Sequence, residues 1–289
     1  MLVLFTDTNT DVTPSIAKEY GYNLISMPYT IDEKDTYPYV DYTEYDYQAF
    51  YNTLRGGVLP KTSAISPATY VDYFEPHFKA GNDILYVHFS AAMSGTFNSL
   101  KLALEMLEEK YPERKFYQID TKFISIGGLC IAREVGRLYK ENKTIEEILE
   151  WADKEVDRFA LYFYADDLKF FKRSGRISNF SATMGTIIGI HPIIHVDDQG
   201  VMTTIAKERG RKKALNKVME YVETLADDIY NHPVLIAHSD SLELAEKLRD
   251  MLVEKYGSEL QIEFSVVNPT IGSHCGPDAI GVCFHAKHR

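Results

Sequence analysis

Three short stretches of the chain carry side chains suited to holding an anion. The first, Ser90-Ala91-Ala92-Met93-Ser94-Gly95-Thr96-Phe97-Asn98-Ser99, follows the apolar run 84–89. Leu100, Leu104 and Leu107 then recur at helical spacing, so hydroxyls and a glycine occupy a strand-to-helix turn. Unpaired N–H groups and the helix dipole favour an anion at such a turn, and hydroxyls add donors. In open α/β sheets ligands also gather at the carboxyl ends of strands. The plainer reading is that Ser94 or Thr96 caps the helix, and the segment alone leaves both open. The second stretch is Lys61-Thr62-Ser63-Ala64-Ile65-Ser66-Pro67. Ser66 and Pro67 form an N-cap and N1 pair for a helix over 69–78, whereas Thr62 and Ser63 lie outside that cap. The third is Ile271-Gly272-Ser273-His274-Cys275-Gly276-Pro277-Asp278-Ala279-Ile280-Gly281. Its glycines point to a tight turn between two apolar strands. His274 is suited to donate to a carboxylate, or to titrate near neutrality, unless it is a loop histidine satisfied by solvent.

Two other chemistries compete for these residues. His274, Cys275, Cys283, His285 and His288 hint at a metal cluster. The Cys275–Cys283 interval is not a zinc spacing, however, and neighbours on a strand alternate faces. Ser94 and His274 suit a Ser–His hydrolase, but Ala92-Met93-Ser94-Gly95 lacks the G-x-S-x-G elbow. No acid is evidently placed to orient His274. Farther along, Lys172-Arg173-Ser174-Gly175-Arg176-Ile177-Ser178 precedes Met184-Gly185-Thr186-Ile187-Ile188-Gly189-Ile190. Gly185 and Gly189 would let backbone approach a long apolar ligand, unless the segment is simply core. Lys207, Arg209 and Arg211 make either a solvated face or a docking patch. The tyrosine-dense stretch 37–51 reads as a packed surface excursion rather than a binding box.

Elements must exist to place these residues, and the pattern supplies them. Strands are expected at 2–5, 24–27, 84–89, 115–119, 159–164, 234–238, 262–267 and 280–284, with a hairpin of 193–196 and 201–205 around Asp197-Asp198-Gln199-Gly200. Thr13-Pro14 opens a helix that runs to Tyr20 and stops at Gly21. Further helices are expected at 98–110, 127–140, about 212–226 and 242–256. Strand and helix alternate in the first half, which argues a mostly parallel sheet. The hairpin argues a second, mixed sheet. The expectation is an α/β protein of two domains, 1–158 and 159–289, with the ligand between and within them.

Composition narrows the function. A formal net charge of −11 repels phosphate backbones and argues against nucleic acid. The N-terminus lacks a basic region before its short apolar run, and no stretch approaches the ~20 apolar residues of a membrane span. Three cysteines are too few for a disulfide framework and suit a reducing compartment, so the cytoplasm is expected.

Taken together, the chain resembles the DegV family. The resemblance begins at Phe5-Thr6-Asp7-Thr8 and continues through Pro60-Lys61-Thr62-Ser63 with Ser66-Pro67 and Ser94-Gly95-Thr96 with Asn98-Ser99. It takes in Gly175-Arg176-Ile177-Ser178 and Lys207-x-Arg209 with Lys212-Lys213-Ala214, and closes on Ile271-Gly272-x-His274-x-Gly276-Pro277 and Gly281. Each motif is weak alone, but six in order are specific.

The resemblance implies a fatty acid carrier rather than an enzyme. A long-chain fatty acid would lie in an apolar tunnel, its carboxylate held by Thr62, Ser63, Ser94, Gly95 and His274, with Arg176, Thr96 and Cys275 nearby. The partner implied is the catalytic subunit of a fatty acid kinase, which phosphorylates that carboxylate to an acyl-phosphate; Arg209 would face it. Neither metal nor cofactor is implied beyond the bound acid. A monomer in transient contact with a membrane is the expected state, and a lipid-sensing regulator would use the same site. Two positions depart from the family pattern. His191 replaces a usual Lys, and Asp278 replaces a usual Gly near the carboxylate, where its side chain must either point away or alter the ligand's charge preference.

Overall fold

The computed structural model describes residues 1–178 and 189–289. The segment from Met184, with Gly185, lies outside the described residues apart from Gly189 and Ile190. Along the chain run β1 (Leu2–Asp7), α1 (Pro14–Tyr20), β2 (Tyr22–Ile25), β3 (Tyr29–Ile31), β4 (Lys34–Thr36), α2 (Tyr47–Arg55), β5 (Lys61–Thr62) and α3 (Pro67–Lys79). Next come β6 (Asp83–His88), α4 (Thr96–Lys110), β7 (Phe116–Asp120), α5 (Ile126–Lys140) and α6 (Ile145–Glu155). The rest is β8 (Phe159–Tyr164), α7 (Leu168–Ser174), β9 (Ile177–Ser178), β10 (Ile190–Val196), β11 (Met202–Arg209), α8 (Arg211–Leu225), β12 (Val234–His238), α9 (Leu242–Tyr256), β13 (Ile262–Val266), α10 (Pro269–Cys275) and β14 (Ile280–His285).

The fold is mixed α/β. One sheet is wholly parallel, in the order β2-β1-β6-β7. The other has seven strands, β13-β12-β14-β8-β10-β11-β9, of mixed sense. Side-chain alternation decides what each face meets. Phe5, Tyr86 and His88 stack on Phe74 of α3 and Phe97 of α4, which leaves the intervening residues of β1 and β6 for α5. In β8, Ala160, Tyr162 and Tyr164 join a core with Leu215, Val218 and Leu248 of α8 and α9. The alternate residues Phe159 and Leu161 join the core of the first half. Helix α5 is thus packed between the two sheets, touching β6 on one side and β8, β12 and β14 on the other.

Local chemistry sets the element ends. The Thr13 hydroxyl accepts the Ile16 N–H, and Gly21 at φ 80° stops α1. Ser66 caps α3 in the same manner with Pro67 following. The second strand lies at Tyr22–Ile25, two residues before the expected position. A small third sheet, β4-β3-β5, has strands of two and three residues, too short for an alternating pattern to show. The tyrosine-dense stretch packs beside it: Tyr51 is fully buried with Phe50 and Phe170. The segment around His274 is a helix rather than the expected turn, because Asn268 accepts the Ile271 N–H at 3.1 Å and Pro269 occupies the first position.

Two carboxyls are buried where β1 ends. Burial pushes Asp7 up to about 7 against donors from Phe89, Tyr86 and Asn9, and pushes Asp11 up to about 6 against Ser125 and Asn268. Between about pH 4 and these values the folded chain holds protons that the unfolded chain has released. Stability therefore falls as pH rises through that window, by roughly 1.4 kcal/mol per pH unit per group at most. Urea unfolding of wild type and Asp7→Asn from pH 4.5 to 7.5 is expected to show a shallower decline in the variant. Identical slopes would contradict the assignment.

Candidate functional site

The residues picked out by type and spacing converge on one internal cavity of about 330 Å³. Thr62 from β5, Ser63 beyond it, Ser94, Gly95 and Thr96 from the turn into α4, Arg176 after α7, and His274 and Cys275 from α10 all line it. Arg209 does not. It is exposed at the far end of β11, seven residues or roughly 23 Å along the strand from Met202, which does line the cavity.

The polar end of the cavity is its mouth. Met93, Ser94, Gly95 and Arg176 also line a more open outer hollow with Gly175 and Val201. Deeper in, the walls are the buried side chains Phe89, Ile126, Leu161 and Val267. Phe89, Leu161 and Val267 belong to apolar strands and Ile126 stands just before the expected helix 127–140, so no residue type or spacing set them apart.

At the mouth, Thr62 Oγ1 and His274 Nε2 lie 2.8 Å apart. Burial, then the charges of Arg176 and Arg173, push His274 down to about 4, so its ring is neutral at physiological pH. With Nε2–H donating to Thr62, the threonine O–H is free to donate onward. His274 Nδ1 is buried without a partner among the described residues. At α4 the cap residue is Gly95, with no side-chain cap. Ser94 Oγ accepts the Thr96 N–H at 3.2 Å, which leaves its own O–H to donate elsewhere. Thr96 is less available, since its hydroxyl lies 3.2 Å from Tyr70 Oη. Burial pushes the Cys275 thiol up to about 12, so it enters the wall as a neutral group.

A Ser–His–acid relay is not assembled, because His274 meets Thr62 and Ser94 binds backbone. Among the described residues there is also no group of three or more His, Cys, Asp or Glu side chains fit to hold a metal. Both departures from the family pattern turn away from the mouth. Asp278 accepts from Arg55 at 2.9 Å and Ser241 at 3.0 Å, with Arg211 at 3.5 Å. His191 Nδ1 stands 3.1 Å from Asp166 Oδ1, and Asp166 also pairs with Arg211.

The mouth is held together by contacts distant in sequence. Arg173 donates to the carbonyls of Leu59 and Pro60 and to Ser273 O at 3.4 Å, which ties the approach to Thr62 onto α10. Asn268, the cap of α10, donates to Asp11 Oδ1 at 2.7 Å and Thr8 O at 2.8 Å. The Thr270 hydroxyl reaches Met27 O at 2.7 Å. No single-sequence signal marks these pairs, since each joins residues a hundred or more positions apart.

Fold and site define an α/β protein of two principal sheets with an apolar cavity and a hydroxyl-rich, neutral-histidine mouth. The family model described as uncharacterised protein, DegV family, matches residues 1–287. A DegV domain-containing protein of Clostridium perfringens is 36% identical over 282 residues, covering 98% of this chain and 96% of that one. The chain belongs to the DegV family. Among solved structures, DegV of Bacillus subtilis, described as a fatty acid binding protein, superposes with a TM-score of 0.83 at 24% identity and covers 99% of each chain. A stearic acid-binding protein from Eubacterium ventriosum gives 0.84 at 20% identity, again over 99% of each chain.

Gly276 tests how tightly the mouth is built. Its φ is 71°, and an added Cβ would lie 2.3 Å from the ring of the fully buried Phe170. Gly276→Ala is expected to cost about 1–3 kcal/mol by overpacking, read as a lower urea midpoint. A midpoint unchanged from wild type would contradict this packing.

Proposed function

We propose that this protein binds one long-chain fatty acid and presents its carboxylate to a separate kinase, which converts it to an acyl-phosphate. The observation that carries the reading is the pairing of Thr62 with a neutral His274 at the mouth of an apolar cavity. A carboxylate taken out of water is costly unless several donors meet it. The Thr62 and Ser94 hydroxyls, with Ser63 and the Gly95 backbone beside them, supply donors without another anion. Arg176 adds positive charge at the mouth. Each buried CH₂ contributes about 0.8 kcal/mol, so the chain itself provides most of the affinity. Solved relatives described as fatty acid binding proteins support the ligand class.

In this reading the chain divides near residue 158, works in the cytoplasm, and performs no chemistry itself. The exposed Arg209, away from the cavity, is the basic position that meets the kinase or its phosphate. Transient membrane contact would supply the acid, and the carrier would work as a monomer.

Delipidated wild type, Ser94→Ala and His274→Ala, reloaded with stearic acid and followed by native mass spectrometry, test the head-group site. One acid per chain is expected on wild type, with roughly tenfold weaker retention in each variant for the loss of about 1–1.5 kcal/mol of hydrogen bonding. Wild-type retention in both variants would sink the assignment. Acyl-phosphate formation on the loaded protein with a reconstituted kinase separates carrier from lipid sensor.

A further inference from the structure

Arg289 does not line the cavity, and its side chain is only 4% exposed. Its guanidinium makes five hydrogen bonds, as many as it has N–H groups. Nε donates to Asp157 Oδ1 at 2.8 Å. One terminal nitrogen donates to Lys122 O at 3.1 Å and Asp197 O at 3.4 Å, the other to Thr121 O at 3.0 Å and Val156 O at 3.2 Å. The group also stands 3.7 Å from the centre of the Phe123 ring, within cation–π range.

These contacts belong to a closed circuit. Asp197 opens the turn between β10 and β11, and its carbonyl also accepts from Gly200 N at 2.9 Å. Gly200 O accepts from Ser90 Oγ at 2.7 Å. Ser90 N donates to Phe123 O at 2.7 Å, and the Phe123 ring returns to the guanidinium. The circuit is tight at Gly200, whose φ is 74° and where an added Cβ would stand 2.3 Å from Ser90 Oγ. From each of three corners the chain runs on into the lining of the cavity. Ser90 leads to Ser94 and Gly95 at the mouth, Phe123 to Ile124 and Ile126 in the wall, and Gly200 to Met202.

We propose that Arg289 is a positioning residue for the bound acid: it locks this circuit, keeps three lining segments together and so sets how slowly the acid leaves. The proposal rests on the fatty-acid reading above. Burial of an alkyl chain is non-directional, so the chain itself cannot fix the spacing of its walls. Contacts behind the walls must do so, and the three segments are joined here by one side chain. A guanidinium suits the task because its planar fork fixes the directions of its donors, whereas Lys offers three rotatable ones.

Wild type, Arg289→Ala, Ser90→Ala and the double variant are loaded with stearic acid, and its transfer to excess phosphatidylcholine vesicles is timed. Urea unfolding of each delipidated protein is measured alongside. Each single variant is expected to release the acid about tenfold faster, the rate equivalent of roughly one net hydrogen bond. Either change opens the same circuit, so the double variant should be no faster than the faster single variant. Wild-type release in either single variant overturns the proposal even where its urea midpoint falls, since that pattern marks a merely structural contact. Rate increases that multiply in the double variant also overturn it. Where Arg289→Ala does not fold, Arg289→Lys, which keeps the charge but loses the fork, replaces it with the same expected and overturning results. Wild type that takes up no stearic acid overturns the fatty-acid reading instead, so the two failures are distinguishable.

Discussion

The mouth of the cavity depends on how α10 is anchored. This seven-residue helix carries His274 and is too short to be stable alone. Its cap, Asn268, uses one amide oxygen to hold Ile271 N and its amide nitrogen to reach Asp11 and Thr8. Capping and tethering are thus one interaction. Burial disfavours ionisation of Asp11, so this acceptor is sustained by the donors of Asn268 and Ser125. Ser125 holds its place at φ 57°, a conformation costly for a residue with a Cβ and maintained by its bonds to Asp11 and Asn9. If this knot loosens, His274 loses its position against Thr62.

From that anchor follows the electrostatic character of the site. Burial first, and then the nearby charges of Arg176 and Arg173, depress His274, and Arg173 is occupied with three backbone carbonyls. The histidine is thereby kept uncharged and serves as a hydrogen-bonding group. A carboxylate bound there, as proposed, would meet dipoles and one nearby cation rather than a tight ion pair. The outer hollow reaches Ser94, Gly95 and Arg176, while the deeper walls are apolar.

Much of this was legible in the sequence because it is locally encoded. Thr13-Pro14 and Ser66-Pro67 announced their helices, and the hydroxyl turn after β6 was identified from its place between strand and helix. Asn268-Pro269 is the same kind of signal, but Gly272 and Gly276 made the segment look like a turn. Tertiary anchoring overrode glycine's low helix propensity there. Asp278 was expected to trouble the carboxylate site. Arg55 and Arg211, 223 and 67 positions away in sequence, draw its side chain elsewhere. Partners of that kind, like the clamp of Arg173, exist only once the chain has folded. Family resemblance supplied the expected ligand class, which periodicity and spacing alone left open.

The central claim is that one fatty acid carboxylate sits against Thr62 and His274. Carbon-13 NMR of stearic acid labelled at the carboxyl carbon, titrated into delipidated protein, tests it most directly. The account predicts a single bound resonance that saturates at one equivalent and shifts in Thr62→Val. It would be contradicted by the absence of a bound resonance, or by one whose position is the same in wild type and Thr62→Val.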